Sequence, residues 1–354
     1  MTVFIINFLL IVMWDILLLK MNPTDGKKKV FSAIAAIQWI LVSGLRSVDL
    51  SRDVSINYIR AFEETKIMSW SQILDTIKEY LFNGLTVKDP GYTLLMKIFQ
   101  IFSDDFQIFL VFIAVVFTAS MAVWIYKYSS MPGLSFIIYS SLFYSFFALT
   151  GLRQTIATAL IVFIGDKFIK ERKFVPFAFL AFSCFLIHKS SVIFIPYYFV
   201  ANIAITPVYL VIAFIIIGVL FVLGSNLYTP IAELLGFSED AIEYDGGGAN
   251  MYVFAIVTVC LASLILHKYI KSHREDVDCL YNLVLLTIAT SLLVTQHHGF
   301  MRLQQYFALV IMIIIPEMVL TMQKKYRPMI YIGAVGFMFL YLIYNNPQYR
   351  FFWQ

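Results

Sequence analysis

Long apolar stretches recur along this chain, and they constrain the fold more than any other feature of the sequence. Hydrophobic residues make up 60% of the 354 residues, charged residues only 14%, and the mean hydropathy is +0.82. A water-soluble domain of this length has no core large enough to bury so much apolar surface. The sequence therefore predicts an all-α protein, a polytopic bundle of membrane helices.

A helix needs about 20 apolar residues to cross a bilayer. About 12 stretches are candidates for transmembrane or partly spanning helices, at 3–19, 30–45, 106–126, 133–149, 153–169, 174–187, 190–205, 207–223, 251–267, 279–295, 303–320 and 329–344. The first lacks the basic residues and the small-residue cleavage site of a signal peptide, so we expect a retained helix. We expect residues 1–354 to form a single integral membrane domain.

The charges of the connecting segments predict the orientation in the membrane. More than half of the 26 Lys and Arg residues lie in the segments 20–29, 126–132, 167–173, 202–206, 268–278 and 321–328. By the positive-inside rule these segments are cytoplasmic, and both termini then lie outside. The formal net charge of +4 has to be interpreted segment by segment, and it gives no indication of nucleic-acid binding.

A break at His188 follows from the same rule. If residues 174–201 were one long helix, the basic segments 268–278 and 321–328 would move to the outer side. Two elements, 174–187 and 190–205, keep every basic segment inside, so we predict the break. Each is short for a full span, which favours a tilted pair or a re-entrant hairpin.

Two longer segments are predicted to be external. Within residues 50–105, Ile73, Ile77, Tyr80 and Leu81 have the spacing of an amphipathic helix, and the sequence Asp89-Pro90-Gly91 predicts a turn before another helix. We expect these helices to lie on the outer leaflet. The segment 224–250 contains acidic and no basic residues and ends in three glycines, so we expect a flexible, lid-like loop.

Ionisable residues gather at the outer helix ends of the predicted topology. They are Arg46, Arg52, Asp53, Arg153, His188, Lys189, His297, His298 and Arg302. A single arginine there is most simply explained as an anchor that reaches a headgroup phosphate. Arginines in the short turns at 153 and 302 run against the positive-inside bias, and guanidinium groups match phosphate oxygens bidentately. The set as a whole favours binding of a diphosphate-linked lipid.

The sequence allows two roles for His188. An isolated histidine is more often a satisfied core residue, but His188 lies between two short apolar elements and precedes Lys189 and Ser190, so a polar pocket is an equal alternative. The adjacent pair His297-His298 is a poor metal signature, because neighbouring residues point in different directions.

Other motifs do not predict a metal, cofactor or nucleotide site. Asp276-Val277-Asp278 has the DxD pattern of metal-dependent glycosyltransferases, but its short connector has no room for a nucleotide domain, so we interpret it as chance. Gly246-Gly247-Gly248 lacks the Lys-Ser/Thr of a phosphate loop. The three cysteines lie in or at the edge of apolar stretches and predict neither disulfides nor a zinc site.

Five short blocks resemble the EpsG family of membrane proteins, which is related to the Wzy polymerases, in the expected order over about residues 40–316. The blocks are Arg46, Asp53, Asn57 and Tyr58; Asp89-Pro90-Gly91-Tyr92 with Leu94-Leu95; Leu152-Arg153-Gln154-Thr155-Ile156-Ala157; His188-Lys189-Ser190-Ser191 with Ile195-Pro196; and Arg302-Leu303 with Tyr306-Phe307 and Ile315-Pro316. Arg52 and Lys189 depart from the family pattern by adding positive charge, which could mark a different glycan.

The resemblance implies a glycosyltransferase in the cytoplasmic (inner) membrane of a bacterium, with its active site on the extracytoplasmic side. Such a protein polymerises undecaprenyl-diphosphate-linked oligosaccharide repeat units into an exopolysaccharide, capsule or O-antigen-type chain, without a nucleotide sugar. Its partners are the lipid-linked oligosaccharide, the lipid bilayer, and a chain-length regulator and flippase of the same pathway. No cofactor or metal is expected.

The chemistry assigns roles to the candidate residues. Cations must stabilise the diphosphate that leaves, and a general base must assist the attacking hydroxyl. We expect Arg153 and Arg302, with Arg46 or Arg52, to bind diphosphate, and Gln154, Tyr58 and Tyr306 to complete the substrate site. His188 or Asp53 is the catalytic base, with His188 preferred because imidazole titrates near neutrality.

Two other functions use similar features. A flippase for lipid-linked oligosaccharide also needs arginines that face a cavity, but it normally shows internal repeats, and none is evident in this sequence. A ligase that transfers finished glycan to another acceptor uses the same lipid-diphosphate donor, and the sequence does not separate it from a polymerase.

Overall fold

The computed structural model describes residues 2–20, 23–85, 87–234, 250–345 and 348–354. Each of the predicted apolar stretches is helical over most of its described length, which confirms the all-α membrane fold. Within these residues β-structure is limited to isolated bridges such as the antiparallel one between Arg46 and Phe351.

The helices differ widely in length. In chain order they are α1 Thr2–Asp15, α2 Asp25–Gly44, α3 Ile59–Ile67, α4 Trp70–Phe82, α5 Pro90–Phe99, α6 Phe106–Tyr128, α7 Pro132–Ile138, α8 Tyr144–Phe147, α9 Leu152–Leu160, α10 Asp166–Lys170, α11 Phe174–Ile187, α12 Phe194–Val200, α13 Pro207–Leu234, α14 Asn250–Ile265, α15 His267–Lys271, α16 Val277–Gln296, α17 Met301–Ala308, α18 Ile311–Thr321 and α19 Arg327–Asn345. π-Helical turns at Ile16–Lys20, Val54–Tyr58, Tyr139–Phe143 and Ile161–Gly165, and 3-10 turns at Val48–Leu50, Lys189–Ile193 and His298–Phe300, extend or join them.

Five helices in the described part of the chain are long and apolar enough to cross a bilayer alone. They are Thr2–Lys20, Phe106–Tyr128, Pro207–Gly224, Val277–Gln296 and Arg327–Asn345. A sixth span results if α17 and α18, which are bent by 55°, count as one. Shorter apolar helices at Pro132–Phe147, Phe174–Ile187 and Met251–Ile265 account for other predicted spans, so several of the stretches enter the membrane as short or interrupted elements.

The chain divides into two compact units. Unit 1 consists of Met1–Asp166, Phe179–Ser191 and Pro328–Gln354. Unit 2 consists of Lys167–Ala178 and Val192–Arg327.

Unit 1 has two packed regions. Around Trp39, the rings of Phe4, Tyr139 and Tyr144 pack closely, and the Trp39 indole donates to Ser140 Oγ at 3.1 Å. The second region joins α3 and α5 to α6, α9 and the end of α11; Phe62, Phe99 and Phe109 are among its buried rings. The predicted amphipathic segment 50–105 is therefore largely helical, and aromatic packing holds it against the other helices of unit 1.

Unit 2 is organised around α16, which packs against α13, α14 and α17. The Tyr281 hydroxyl donates to the Ser263 carbonyl at 2.6 Å, and Asn282 binds the Ala201 and Ile203 carbonyls while it accepts from Tyr209. Buried polar side chains in an apolar helix thus find partners on neighbouring elements, as the low dielectric requires.

Two predictions about boundaries have different outcomes. The break at His188 is confirmed, because α11 ends at Ile187 and a 3-10 turn begins at Lys189. The loop predicted for 224–250 is wrong at its start, because α13 continues through Pro230 to Leu234. Its acidic residues at 239, 240, 243 and 245 and the glycines Gly246-Gly247-Gly248 lie outside the described residues.

Candidate active site

Asp89 occupies an uncommon backbone conformation immediately before α5. Its φ of 52° and ψ of 60° are left-handed, which aspartate tolerates better than most residues with a side chain. Pro90 starts the helix, where its fixed φ suits the first turn and no backbone N–H is needed. The turn leaves the Asp89 carboxylate buried, with a residue exposure of 3%, and in contact with other helices rather than with its own.

Three groups converge on this carboxylate. Arg153 Nη1 lies 2.8 Å from Asp89 Oδ2, and His188 Nδ1 lies 3.3 Å from the same oxygen. The backbone N–H of Lys189 donates to Oδ1 at 3.1 Å. We call Asp89, Arg153, His188 and the Lys189 N–H the Asp89 cluster; it joins the start of α5, the start of α9 and the end of α11.

Arg153 is fixed by more than its ion pair. Its Nε donates to the Tyr58 hydroxyl at 3.3 Å, and its guanidinium carbon lies 5.0 Å from the Tyr58 ring centre and 5.9 Å from that of Tyr92. Aromatic faces attract a guanidinium through the ring quadrupole. The two tyrosines therefore form a wall that holds the cation in one orientation.

Close backbone packing sets the spacing between Asp89 and His188. At Gly91, in the first turn of α5, an added Cβ would lie 2.6 Å from Leu186 Cβ and 2.8 Å from the Leu186 carbonyl carbon. Only glycine allows α5 to approach the end of α11 this closely. This close approach brings the Asp89 carboxylate within contact distance of His188, which follows the last residue of α11.

The electrostatics favour an ionised Asp89. Burial by itself raises the pKa of this carboxyl, but the hydrogen bond and charge of His188, the charge of Arg153 and the Lys189 N–H together lower the pKa below its ordinary value. The cluster therefore keeps a negative charge beside the His188 ring, which favours a proton on Nδ1 and makes Nε2 the basic nitrogen of the neutral ring.

Several predicted site residues lie beside the cluster. Tyr58 contacts Arg153 directly, and Gln154 follows Arg153 in α9 and is buried at 2% exposure. Asp53 accepts from Asn57 Nδ2 at 2.9 Å and contributes to raising the pKa of the Tyr58 phenol, after the larger effect of burial. Asp53 thus acts on Tyr58, which in turn contacts Arg153 of the cluster.

The two early arginines differ in exposure. Arg46 is 2% exposed, and its guanidinium donates to the carbonyls of Ser43 at 2.9 Å and Leu149 at 3.1 Å. Burial lowers the pKa of Arg46 to about 10, so the side chain remains charged at neutral pH. These contacts indicate that Arg46 joins the end of α2 to the turn before α9. Arg52 is exposed at the start of the Val54–Tyr58 turn.

The remaining predicted residues belong to unit 2. Arg302 is exposed in the first turn of α17, and the ring of Tyr306 packs on Phe194 at 4.8 Å. His297 accepts from the Gly299 N–H at 3.0 Å, which is a local turn contact. The convergence of Arg302 with Arg153 on one substrate stays a prediction.

The Asp276-Val277-Asp278 motif has structural partners in unit 2. Asp276 binds Arg274 through both oxygens, at 2.6 and 3.1 Å, and pairs with Lys170 at 3.3 Å. Asp278 accepts from the Ile205 N–H at 3.1 Å. Arg274 also pairs with the fully buried Glu317 at 2.7 Å. Asp276 and Asp278 thus tie the start of α16 to neighbouring segments of unit 2. Among the described residues, no group of three His, Cys, Asp or Glu side chains is placed to hold a metal.

Asp89 lies at the centre of the cluster, yet the sequence does not mark it as a site residue. By its residues alone, Asp89-Pro90-Gly91 predicts only a turn, and charge does not distinguish its aspartate from others in the external segment. The available signal was its place in a block that resembles the EpsG pattern, ahead of Tyr92. Its partners, Arg153 and His188, were both predicted.

Fold and site together define a polytopic membrane protein in which carboxylate, guanidinium and imidazole meet at helix ends. The model of the EpsG family matches residues 29–353, nearly the whole chain, and the chain belongs to that family. EpsG is a Wzy-like polymerase family, so the general role is that of a glycosyltransferase-like polysaccharide polymerase. Neither a curated protein nor a solved structure matches the chain significantly.

Proposed function

We propose that this protein joins undecaprenyl-diphosphate-linked oligosaccharide repeat units into a polysaccharide at the extracytoplasmic face of the bacterial cytoplasmic membrane. The observation that carries the proposal is the Asp89 cluster, which sets an oriented imidazole next to a fixed guanidinium at the ends of three helices. Acid–base chemistry and recognition of a phosphate-bearing leaving group need these two functions side by side.

His188 acts as the general base in the proposed reaction. A sugar hydroxyl of one lipid-linked unit attacks the anomeric carbon of the glycan on a second carrier, and its proton passes to His188 Nε2. The bond between the anomeric carbon and the phosphate oxygen breaks, and lipid diphosphate leaves with the bonding electrons. Asp89 stabilises the imidazolium through Nδ1, as a carboxylate does for a catalytic histidine.

Arg153 stabilises the negative charge that develops on the leaving diphosphate. A guanidinium has five N–H donors, and Asp89 and Tyr58 engage only part of this set. Preorganised donors cost no reorganisation when charge develops, so a fixed arginine suits this role. Arg302 and Arg52 are each proposed to bind a lipid diphosphate, whereas Arg46 supports the Asp89 cluster through the end of α2.

The test is polymer formation by the purified protein in vesicles with one defined lipid-linked repeat unit. A polymerase gives a ladder of products, a ligase gives one transfer and a flippase gives none. Arg153→Ala should abolish the ladder, and Arg153→Lys should impair it because the charge remains but the fork is lost. A full ladder from both variants removes Arg153 from the site.

The same assay distinguishes His188 from Asp53 as the general base. His188→Gln should reduce kcat strongly with little change in KM, whereas Asp53→Asn should retain most of the activity. The reverse result would transfer the role of base to Asp53.

A further inference from the structure

Helix α4 has an apolar face that is exposed in the described part of the chain. Ile73 on one side is buried at 1% exposure. Trp70, Leu74 and Leu81 are 44%, 56% and 37% exposed, and their spacing of four and seven residues places them on a common face. The helix therefore has one apolar face against unit 1 and a neighbouring one that is open.

The opposite side of α4 is polar. It carries Asp75, Thr76 and Glu79, and Glu79 accepts from Asn83 Nδ2 at 2.6 Å. Ser69 and Gln72 close a capping box at the start of the helix, so the helix is well defined locally. An apolar side, a polar side and a tryptophan near one end are typical of a helix that lies at a membrane–water interface.

The open face continues a surface that faces lipid. The ring of Tyr80 in α4 contacts that of Phe185 in the apolar helix α11, with 6.4 Å between centres. In the same helix, Phe179 and Phe182 are 71% and 46% exposed, and exposed apolar side chains of this kind on a membrane protein suit contact with acyl chains. Acyl chains therefore match the chemistry of the adjoining open face of α4.

Helix α4 also contacts the edge of the Asp89 cluster. Lys189 Nζ lies 5.2 Å from the centre of the Tyr80 ring, while the Lys189 backbone N–H binds Asp89. A cation held over an aromatic face is attracted only weakly by the ring quadrupole. This attraction is weak enough for a phosphate, with its full negative charge, to displace the ring.

We propose that α4 is seated in the bilayer interface by Trp70, Leu74 and Leu81 and forms the lipid-side wall of the Asp89 cluster. Lys189 at this wall is the first cation that the diphosphate of an arriving lipid-linked substrate meets. The role of Lys189 rests on the proposed function, and the membrane contact of α4 does not.

Spin labels on the two sides of α4 test the membrane contact. Single cysteines are introduced as Trp70→Cys, Leu74→Cys and Leu81→Cys, with Asp75→Cys and Glu79→Cys as controls on the same helix, after replacement of the three native cysteines. The labelled protein is studied in vesicles of phosphatidylethanolamine and phosphatidylglycerol. Labels at 70, 74 and 81 should be more accessible to oxygen than to a water-soluble nickel chelate, and labels at 75 and 79 should show the reverse.

Two accessibility patterns overturn the membrane contact. Preferential access of nickel at all five positions places α4 in water, and low access of both reagents at 70, 74 and 81 shows that protein covers the face.

Kinetics test the link to the substrate. Leu74→Glu and Lys189→Gln should each raise the KM for the lipid-linked repeat unit several-fold, and Thr76→Glu, which adds the same charge as Leu74→Glu on the polar side, should leave KM unchanged. Unchanged KM in the first two variants overturns the role of the wall. If polymer forms but the labels do not show the expected accessibility, only the membrane contact of α4 is refuted. If the labels show it but no polymer forms, only the proposed function is refuted.

Discussion

Arg153 Nη1 lies 2.8 Å from Asp89 Oδ2, and the two side chains are 13% and 4% exposed. A buried ion pair of this kind gains little net stability by itself, because removing both charges from water offsets their attraction. Its consequence is geometric: Asp89 also binds His188, so the pair fixes a guanidinium and an imidazole relative to each other.

Asp89→Asn should be more damaging than any other single amide substitution of an external aspartate. Removing one partner of a buried pair costs about 3–5 kcal/mol, since the other charge stays buried without compensation. We expect a lower unfolding midpoint in detergent and a loss of kcat of at least about 100-fold. Double substitution with Arg153→Gln should recover part of the stability without recovering activity. Additive stability losses in the double variant would show that the two residues do not interact.

Acidification should not weaken the contribution of Asp89 until the pH is well below neutrality. Because the folded-state pKa of this carboxyl is lowered, its contribution is present above the ordinary aspartate pKa of about 3.9 and is lost as pH falls through the lower folded value. The stability difference between the native protein and Asp89→Asn should therefore not decrease between about pH 8 and 5. Thermal unfolding across this range measures it, and a decrease near pH 6 would contradict the ionised state.

Gly91→Ala should impair the site without touching any charged group. The added Cβ meets the Leu186 backbone at 2.8 Å, so α5 or α11 must shift, at a cost of about 1–3 kcal/mol. We expect lower kcat and lower stability. Gly333→Ala in α19 is the matched control, because nothing lies within 4 Å of its added Cβ. Equal activity of the two variants would show that the α5–α11 spacing is unimportant.

Arg46→Gln should act on stability rather than on substrate binding. The guanidinium satisfies the Ser43 and Leu149 carbonyls in a buried position, and a buried group left unsatisfied costs about 1–3 kcal/mol. The unfolding midpoint should fall, whereas the KM of the folded protein for lipid-linked substrate should remain. A rise in KM with an unchanged midpoint would instead support the sequence-based prediction that Arg46 binds diphosphate.

Glu317→Gln should destabilise unit 2. Glu317 is fully buried and pairs with Arg274, and the substitution would remove this charge while the Arg274–Asp276 pair remains. We expect a lower unfolding midpoint and an unchanged ladder from the fraction that folds. Lys271→Gln, which breaks only an exposed pair at 3.9 Å, should have no measurable effect. Loss of polymerisation without loss of stability would assign Glu317 a direct role.

Local sequence was sufficient to predict the membrane helices and the break at His188. Apolar stretches of sufficient length must be helical in a bilayer, since every backbone N–H and C=O needs a partner within its own segment. The helix Phe174–Ile187 accordingly has the predicted bounds. After residue 224 the prediction of a loop was based on acidic residues and glycines and not on the length of an apolar stretch. It was wrong at its start, because α13 continues to Leu234.

The partners of the charged residues were decided by tertiary structure. Asp89 is 64 residues from Arg153 and 99 residues from His188 in the sequence. Contacts between residues so far apart produce no local sequence pattern from which they could be predicted. The meeting depends on a left-handed turn at Asp89 and on a glycine that lets α5 approach α11. Hydrophobicity and charge in the sequence thus determined which segments enter the membrane and which residues are costly there. Only packing decided that Arg46 binds carbonyls while Arg153 binds a carboxylate, because side-chain contacts depend on which helices approach each other.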